Sequence, residues 1–383
     1  MLAGMFLTAE RALRGGSQAV STQVRSALFL EYRLPLGCLV HMTPVFEAIK
    51  RSRPEIEIAV ATRGLGLQVL RHSPFVDHLI ETPDPTADLG AAVRGLRRQL
   101  GESGLQPDCV LTGASDQRTR IALMALLGSS GWRGGYTLKP ALYHRPLAYD
   151  VGRSLIDNNL RLARMLGCEA EVTRPRVFFS NADLEAAAAM LREVNPEVRP
   201  LAVLVTQNSG GQSTGWHTER FARVIRHAAL QCGFAVVYVG TTAEATAIDA
   251  IRQSCGGLGA SIAGRTTVNE LAAVLALSDV TISLDTGTMH VGRAIGVPMV
   301  VLGPSWQRPI EWLPLGVENV RILRGEDRES VPDGYRLDEI DAESVIAACD
   351  ELIGSYPPSG AARAARVRES LSEVDHLAAR QVG

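Results

Sequence analysis

Residues 282–305 read ISLDTGTMHVGRAIGVPMVVLGPS. Two apolar runs of strand length, 280–284 and 298–302, enclose a polar start followed by a helical pattern at 287–295. A strand, a helix and a second strand this close together predict a parallel pair with a crossover helix. In open parallel sheets, ligands bind beyond the carboxyl ends of strands. Asp285, Thr286, Gly287, Thr288 and His290 fall at such an end. Two readings follow. Asp285 caps the helix by accepting from the amides of Gly287 or Thr288, and His290 packs. Alternatively, the free amides and the positive end of the helix dipole bind a phosphate, with Gly287 allowing close approach and His290 donating.

The same rhythm extends upstream. Strand patterns at 201–206, 234–239 and 260–262 alternate with helical ones at 221–230, 243–254 and 268–277. Nearer the N-terminus, strands are expected at 26–30, 55–61, 76–80 and 109–111. Helices are expected over 39–49, 65–70, 87–100 and 121–127. Between these halves, residues 132–150 hold two prolines and two glycines with few periodic apolar positions, and no element is assigned there. Amphipathic helices follow at 151–166 and 182–194, the second stopped by Asn195-Pro196. Further helices are expected at 342–353 and 361–382, the last rich in Ala, Arg and Glu and read as a surface helix. The expected division is an N-terminal extension (1–25), one α/β domain (26–180), a second (181–355) and a terminal helix (356–383).

The 383 residues suffice for two such cores, and 46% hydrophobic with 21% charged content fits a globular chain. A net charge of −2 gives no nucleic-acid footprint. The six cysteines, Cys38, Cys109, Cys168, Cys232, Cys255 and Cys349, form no CxxC, so reduced thiols in a cytoplasmic setting are expected, with no metal site. No apolar run reaches 18 residues, so no spanning helix is expected, although peripheral membrane contact is open. MLAGMFLTAERALRGG at the start has no basic segment before its apolar one, so it is read as an extension.

Three further strand ends carry polar groups. Residues 207–216, QNSGGQSTGW, pair hydroxyls with adjacent glycines that can cradle a diphosphate, and Trp216 is read as packing. Glu244, just after Gly240-Thr241-Thr242-Ala243, suits a ribose diol or is an exposed first-turn glutamate. In LGCLVHMTP (36–44), Gly37 suits a tight turn. Cys38 lies at a helix start, either as a thiol of lowered pKa or as a buried inert one, and His41 is read as packing.

Together these pieces resemble glycosyltransferase family 9, which contains the lipopolysaccharide heptosyltransferases. The likeness spans roughly residues 26–350. Its most specific part is DTGTMH (285–290), followed by AIGVP (294–298) and GPS (303–305), in the family's order and spacing. Residues 263–267, AGRTT, and the 36–44 turn support it. The resemblance implies a GT-B fold, with two Rossmann-like doubly wound domains facing a central cleft. It implies an inverting, metal-independent transfer of a sugar, heptose in the main, from an ADP-activated donor, with no cofactor. The acceptor and the oligomeric state stay open.

Carried over by position, Asp285, Thr286, Gly287 and His290 hold the donor diphosphate and sugar. Ser209 and Gly210 lie by the phosphates, Glu244 meets the ribose, and the loop 116–120 faces the acceptor. The sequence departs from the family pattern twice. Cys38 replaces the aspartate expected as general base, and Thr214 replaces a basic residue that neutralises the leaving diphosphate. A base contributes on the order of 10²–10⁴-fold to such a reaction. The base is then Cys38, Glu31, His41 or Asp116, or the acceptor brings a nucleophile that needs little help. Two other readings stand beside transfer: a nucleotide-sugar-binding protein without turnover, and a GT-B epimerase or hydrolase.

Overall fold

The computed structural model describes residues 23–33, 35–171, 174–208 and 215–377. They form two compact units, one from the residues up to 175 together with those from 374, the other from 176–373.

The first unit is a parallel sheet of six strands: β1 (Ser26–Leu30), β2 (Glu57–Thr62), β3 (His78–Glu81), β4 (Cys109–Thr112), β5 (Trp132–Tyr136) and β6 (Arg145–Leu147), in the order 3-2-1-4-5-6. The connecting helices are α1 (Leu36–Val40), α2 (Thr43–Ser52), α3 (Leu65–Leu70), α4 (Leu89–Ser103), α5 (Thr119–Gly128) and α6 (Leu155–Met165). Strands β1 and β4 are buried at every position, which is why their sequences read as continuous apolar runs. One core packs Leu28, Leu30, Ala59, Leu96, Val110 and Met124. Helix α4 starts at Asp88, whose side chain accepts from Ala91 N–H at 2.9 Å, and it ends at Gly104 with φ 67°.

The second unit repeats the plan. Strands β7 (Leu201–Val205), β8 (Ala235–Tyr238), β9 (Ala260–Ser261), β10 (Val280–Leu284), β11 (Met299–Leu302) and β12 (Val320–Leu323) lie in the order 12-11-10-7-8-9. Read from the first strand of the unit, that is the same 3-2-1-4-5-6 arrangement. Its helices are α7 (Asn181–Val194), α8 (Thr218–Arg226), α9 (Ala245–Ser254), α10 (Val268–Leu277), α11 (Gly287–Ile295), α12 (Pro309–Trp312), α13 (Ala342–Ser355) and α14 (Gly360–Ser370). A separate core packs Leu204, Trp216, Phe221, Ile282, Leu302 and Leu352. In each sheet the strand order reverses beside the first strand, between β1 and β4 and between β7 and β10. Those are the crevices where open sheets bind ligands.

Several expectations are corrected or completed. The stretch 132–150 contains two strands, β5 and β6. The glycine pair Gly134-Gly135 hides the first, and the second is an edge strand that tolerates Pro146. Edge strand β12 is only partly buried and has no strong apolar pattern. The helix expected over 39–49 is two helices. Helix α1 stops at His41, and Pro44 opens the first turn of α2. Gly37 lies inside α1 rather than in a tight turn.

The terminal helix ends at Ser370, where the chain pairs with Phe179 instead: Phe179 N–H donates to Ser370 O at 3.1 Å and Ser372 N–H to Phe179 O at 2.9 Å. Residues 378–383 lie outside the described ones. The residues just before them join the first unit, where Asp375 takes a double hydrogen bond from Arg71 at 3.0 and 2.7 Å.

Nor is α14 only a surface helix. Its Arg366 is buried enough to lower its pKa to about 10, and it donates to the carbonyls of Ala276 and Ser278 at the end of α10. Its Arg363 reaches both oxygens of buried Asp279 at 2.9 and 2.8 Å, and Asp279 also accepts from Leu201 N–H at 2.8 Å. Arg363→Ala is expected to cost about 2 kcal/mol in urea unfolding, because it leaves a buried carboxylate short of a donor. Asp279→Asn should recover part of that loss in the double variant.

The six cysteines are free. Among the described residues no helix is long and apolar enough to cross a membrane.

Candidate active site

In the first unit, Glu31 follows β1 directly and Asp116 lies in the loop after β4, so the reversal of strand order brings both to one crevice. Glu31 is 4% exposed. Its Oε1 accepts from Gly113 N–H at 3.1 Å, its own N–H donates to Ala61 O, and its carbonyl accepts from Thr62 Oγ1 at 2.6 Å. A Cβ on Gly113 would lie 2.4 Å from Glu31 Oε1, so any larger residue there would push the carboxyl group out of this position. Burial first, then repulsion from Asp116, pushes the Glu31 pKa from 4.5 up to about 8. Asp116 is fully buried and forms a forked pair with Arg118, 2.6 Å on both arms.

Cys38 in α1 faces the same groups. Its thiol is hydrogen-bonded with Ser115 and feels exposed Arg33, Glu31 and Asp116. Burial outweighs these and pushes the thiol up to about 12. Of the two readings of Cys38, the structure supports the buried inert thiol: Cys38 stays protonated and is no base at neutral pH. His41 has a packing role. It is 1% exposed, and its carbonyl accepts from Asn159 Nδ2 of α6 at 3.2 Å. In the loop 116–120, Arg120 donates to the Thr86 and Ala87 carbonyls, and Arg118 Nη1 reaches Thr86 Oγ1 at 3.4 Å.

In the second unit, Asp285 and Thr286 follow β10. The N-cap of α11 is Thr286, in extended conformation at φ −144° and ψ 172°, and no side chain caps the helix. The expectation that Asp285 caps it is thus corrected: Asp285 lies one residue too early. Thr286 Oγ1 is buried and has no hydrogen-bond partner among the described residues. First-turn amides with no capping side chain and a spare hydroxyl are what an anion needs.

Asp285 is 5% exposed, and burial raises its pKa to about 6. His290 Nε2 lies 3.8 Å from its Oδ1, and burial with Arg293 nearby lowers the imidazole to about 3. His290 is neutral at pH 7, so it can exchange hydrogen bonds with a ligand but brings no counter-charge. The Trp312 ring lies 6.0 Å from it between centroids.

The remaining candidates are partly engaged elsewhere. Glu244 Oε2 accepts from Thr241 N–H at 2.7 Å in a capping box. In 263–267, Gly264 N–H donates to Gly240 O at 2.8 Å, Arg265 pairs with Glu193, and Thr267 forms a capping box with Glu270. The loop at 303–307 is clamped by Arg324 Nη2, which donates to three of its carbonyls at 3.1–3.3 Å. Trp216 packs as expected, with Nε1 donating to Ile340 O at 2.9 Å. Ser209, Gly210 and Thr214 lie outside the described residues. Sequence reasoning missed Gly113, Ser115 and Trp312. Gly113 was visible as a glycine closing a strand, but the other two meet their partners only through loop returns.

Each of the two doubly wound units carries polar candidate groups at its own crevice. The sequence model of Glycosyltransferase family 9 (heptosyltransferase) matches residues 121–337, and the chain belongs to that family. It is a glycosyltransferase. It is 23% identical over 345 residues to lipopolysaccharide heptosyltransferase 3 of Escherichia coli strain K12, covering 84% of this chain and 97% of that one. Its fold matches a family 9 glycosyl transferase of Veillonella parvula (TM-score 0.75, 19% identity, 86% and 98% of the chains covered). It also matches E. coli heptosyltransferase WaaC with ADP-2-deoxy-2-fluoro heptose (TM-score 0.64, 17% identity, 85% and 99% covered).

Proposed function

We propose that this glycosyltransferase moves heptose from ADP-heptose to a hydroxyl of a saccharide acceptor of the lipopolysaccharide-core type, with inversion, without a metal or other cofactor, in the cytoplasm. The observation that carries the reading is the start of α11, with Thr286 Oγ1 unpartnered and no side-chain cap. A diphosphate satisfies both, and the helix dipole opposes the charge that grows on the leaving group. Gly287 gives the phosphates access to the backbone. Near a diphosphate, Asp285 would be pushed further up from about 6 and would donate a hydrogen bond as the acid. Family membership supports the donor class, since WaaC was solved with an ADP-heptose analogue. Glu31 is the group we assign as general base. Burial, with Asp116 second, puts its pKa at about 8, so the ionised fraction that can take the proton grows as pH rises toward that value.

Calorimetry with ADP, UDP and GDP tests the donor site. ADP should bind most tightly. Thr286→Val removes one hydrogen bond to a charged oxygen and should weaken ADP about tenfold or more. Asp285→Ala should weaken it at least as much. Affinity unchanged in both variants would overturn the site, and a preference for UDP or GDP would overturn the donor.

A further inference from the structure

Helix α8 does not end as an α-helix. Residues His227–Gln231 turn with the wider π pitch, closed by Cys232 N–H donating to the His227 carbonyl at 3.0 Å. In a regular α-helix, residues five apart point about 140° away from each other. The wider turn instead stacks Cys232 beside His227, and such bulges recur at functional sites. Cys232 Sγ lies 3.3 Å from His227 Nε2. Asp350 of α13 brings Oδ1 to 2.7 Å from the same nitrogen and 3.7 Å from the sulfur.

The imidazole's other nitrogen fixes the chemistry. Nδ1 lies 2.9 Å from Gln231 Oε1. An amide oxygen only accepts, so Nδ1 carries the hydrogen. Nε2 then turns a lone pair toward a carboxylate oxygen and a sulfur. The imidazole nitrogen, the carboxylate oxygen and the thiol, which donates to Asp350 Oδ1, converge, and a cation that displaces the thiol proton can take all three as ligands. This is no catalytic relay, because acid and thiol share one nitrogen instead of taking opposite ones.

The spacing suits a tetrahedral ion. Bonds of about 2.0–2.3 Å from zinc to nitrogen, oxygen and sulfur separate the ligand atoms by about 3.3–3.7 Å. Two of the three edges already have that length. The third opens by about half an ångström if the Asp350 side chain, half exposed, swings outward. Its exposure also leaves the fourth position to water. Val224, Ala228, Phe234 and Ile353 form an apolar wall beside His227 and Cys232, and Gln231 orients the ring, as outer partners of metal ligands do.

We propose that His227, Cys232 and Asp350 bind a zinc-class divalent ion that pins the end of α8 to α13. These elements carry none of the residues assigned to transfer, so the ion's role is structural.

The test is calorimetric titration of zinc chloride into the full chain after chelator treatment, with a cobalt(II) spectrum alongside. One equivalent of zinc should bind and raise the melting temperature. Cys232→Ser and Asp350→Asn should each weaken it tenfold or more, Gln231→Ala about tenfold, and Cys168→Ala not at all. Cobalt should show a thiolate charge-transfer band that Cys232→Ser abolishes. Absence of zinc binding to the wild type, or binding unchanged in both Cys232→Ser and Asp350→Asn, would overturn the proposal and leave a plain His–Asp ion pair.

Discussion

Glu31→Gln should lower the transfer rate by about 10²–10⁴-fold while ADP affinity stays within twofold. Glutamine keeps the shape and still accepts from Gly113 N–H, but it cannot take a proton. In the wild type the rate should climb as pH rises toward about 8 and level off above it, because only ionised Glu31 acts as base. The same substitution should move stability the other way. The folded pKa of about 8 lies above the unfolded 4.5, so the folded state binds the extra proton. The stability this confers is complete below pH 4.5 and is lost as pH rises to about 8. The loss over that window is on the order of 4–5 kcal/mol. Glu31→Gln removes this dependence, so above pH 8 the variant should be the more stable protein. Urea unfolding between pH 5 and 9, run beside the rate profile, checks both. A flat rate profile, or a variant that transfers normally, would move the base elsewhere.

Gly135→Ala should cost about 4 kcal/mol or more, enough to leave little folded protein against a total of about 5–15 kcal/mol. Gly135 sits in β5 opposite Thr112 with φ 109°, where side chains rarely go. A Cβ there would lie 2.3 Å from the Thr112 carbonyl oxygen and 2.9 Å from its nitrogen, and backbone cannot swing aside. Thr112 directly precedes Gly113, the donor to Glu31, so any chain that did fold would have a displaced acid. Gly101→Ala is the control. That glycine lies in α4 with open space around it, and the change should stabilise by up to about 1 kcal/mol. A Gly135→Ala protein within 1 kcal/mol of wild type would refute the argument.

This glycine pair also shows what the sequence conceals. Buried central strands such as β1 and β10 are legible because apolar residues dominate them, with only the small hydroxyl residues Ser26, Thr281 and Ser283 among them. Strand β5, WRGGY, is interrupted by two glycines, which make room for Met165 and the Thr112 backbone, and that need is set by neighbours far along the chain. The strand, turn and helix of 280–295 were legible because they form one local unit. Its capping was misread by one residue, since Asp and Thr both favour the N-cap and only the backbone dihedrals decide between them. In the first unit, the candidate residues were visible but their ionisation was not. Whether Cys38 ionises depends on burial, and Glu31 lies 85 residues from the Asp116 that repels it.

The repeated strand order has an evolutionary consequence. Each unit closes its own core around its own crevice, so a substitution in one sequence half can be tolerated or selected without repacking the other. The DTGTMH segment lies wholly in one half, while Glu31, Cys38 and Asp116 lie wholly in the other. A lineage built this way can vary one sequence half while the other keeps its core intact.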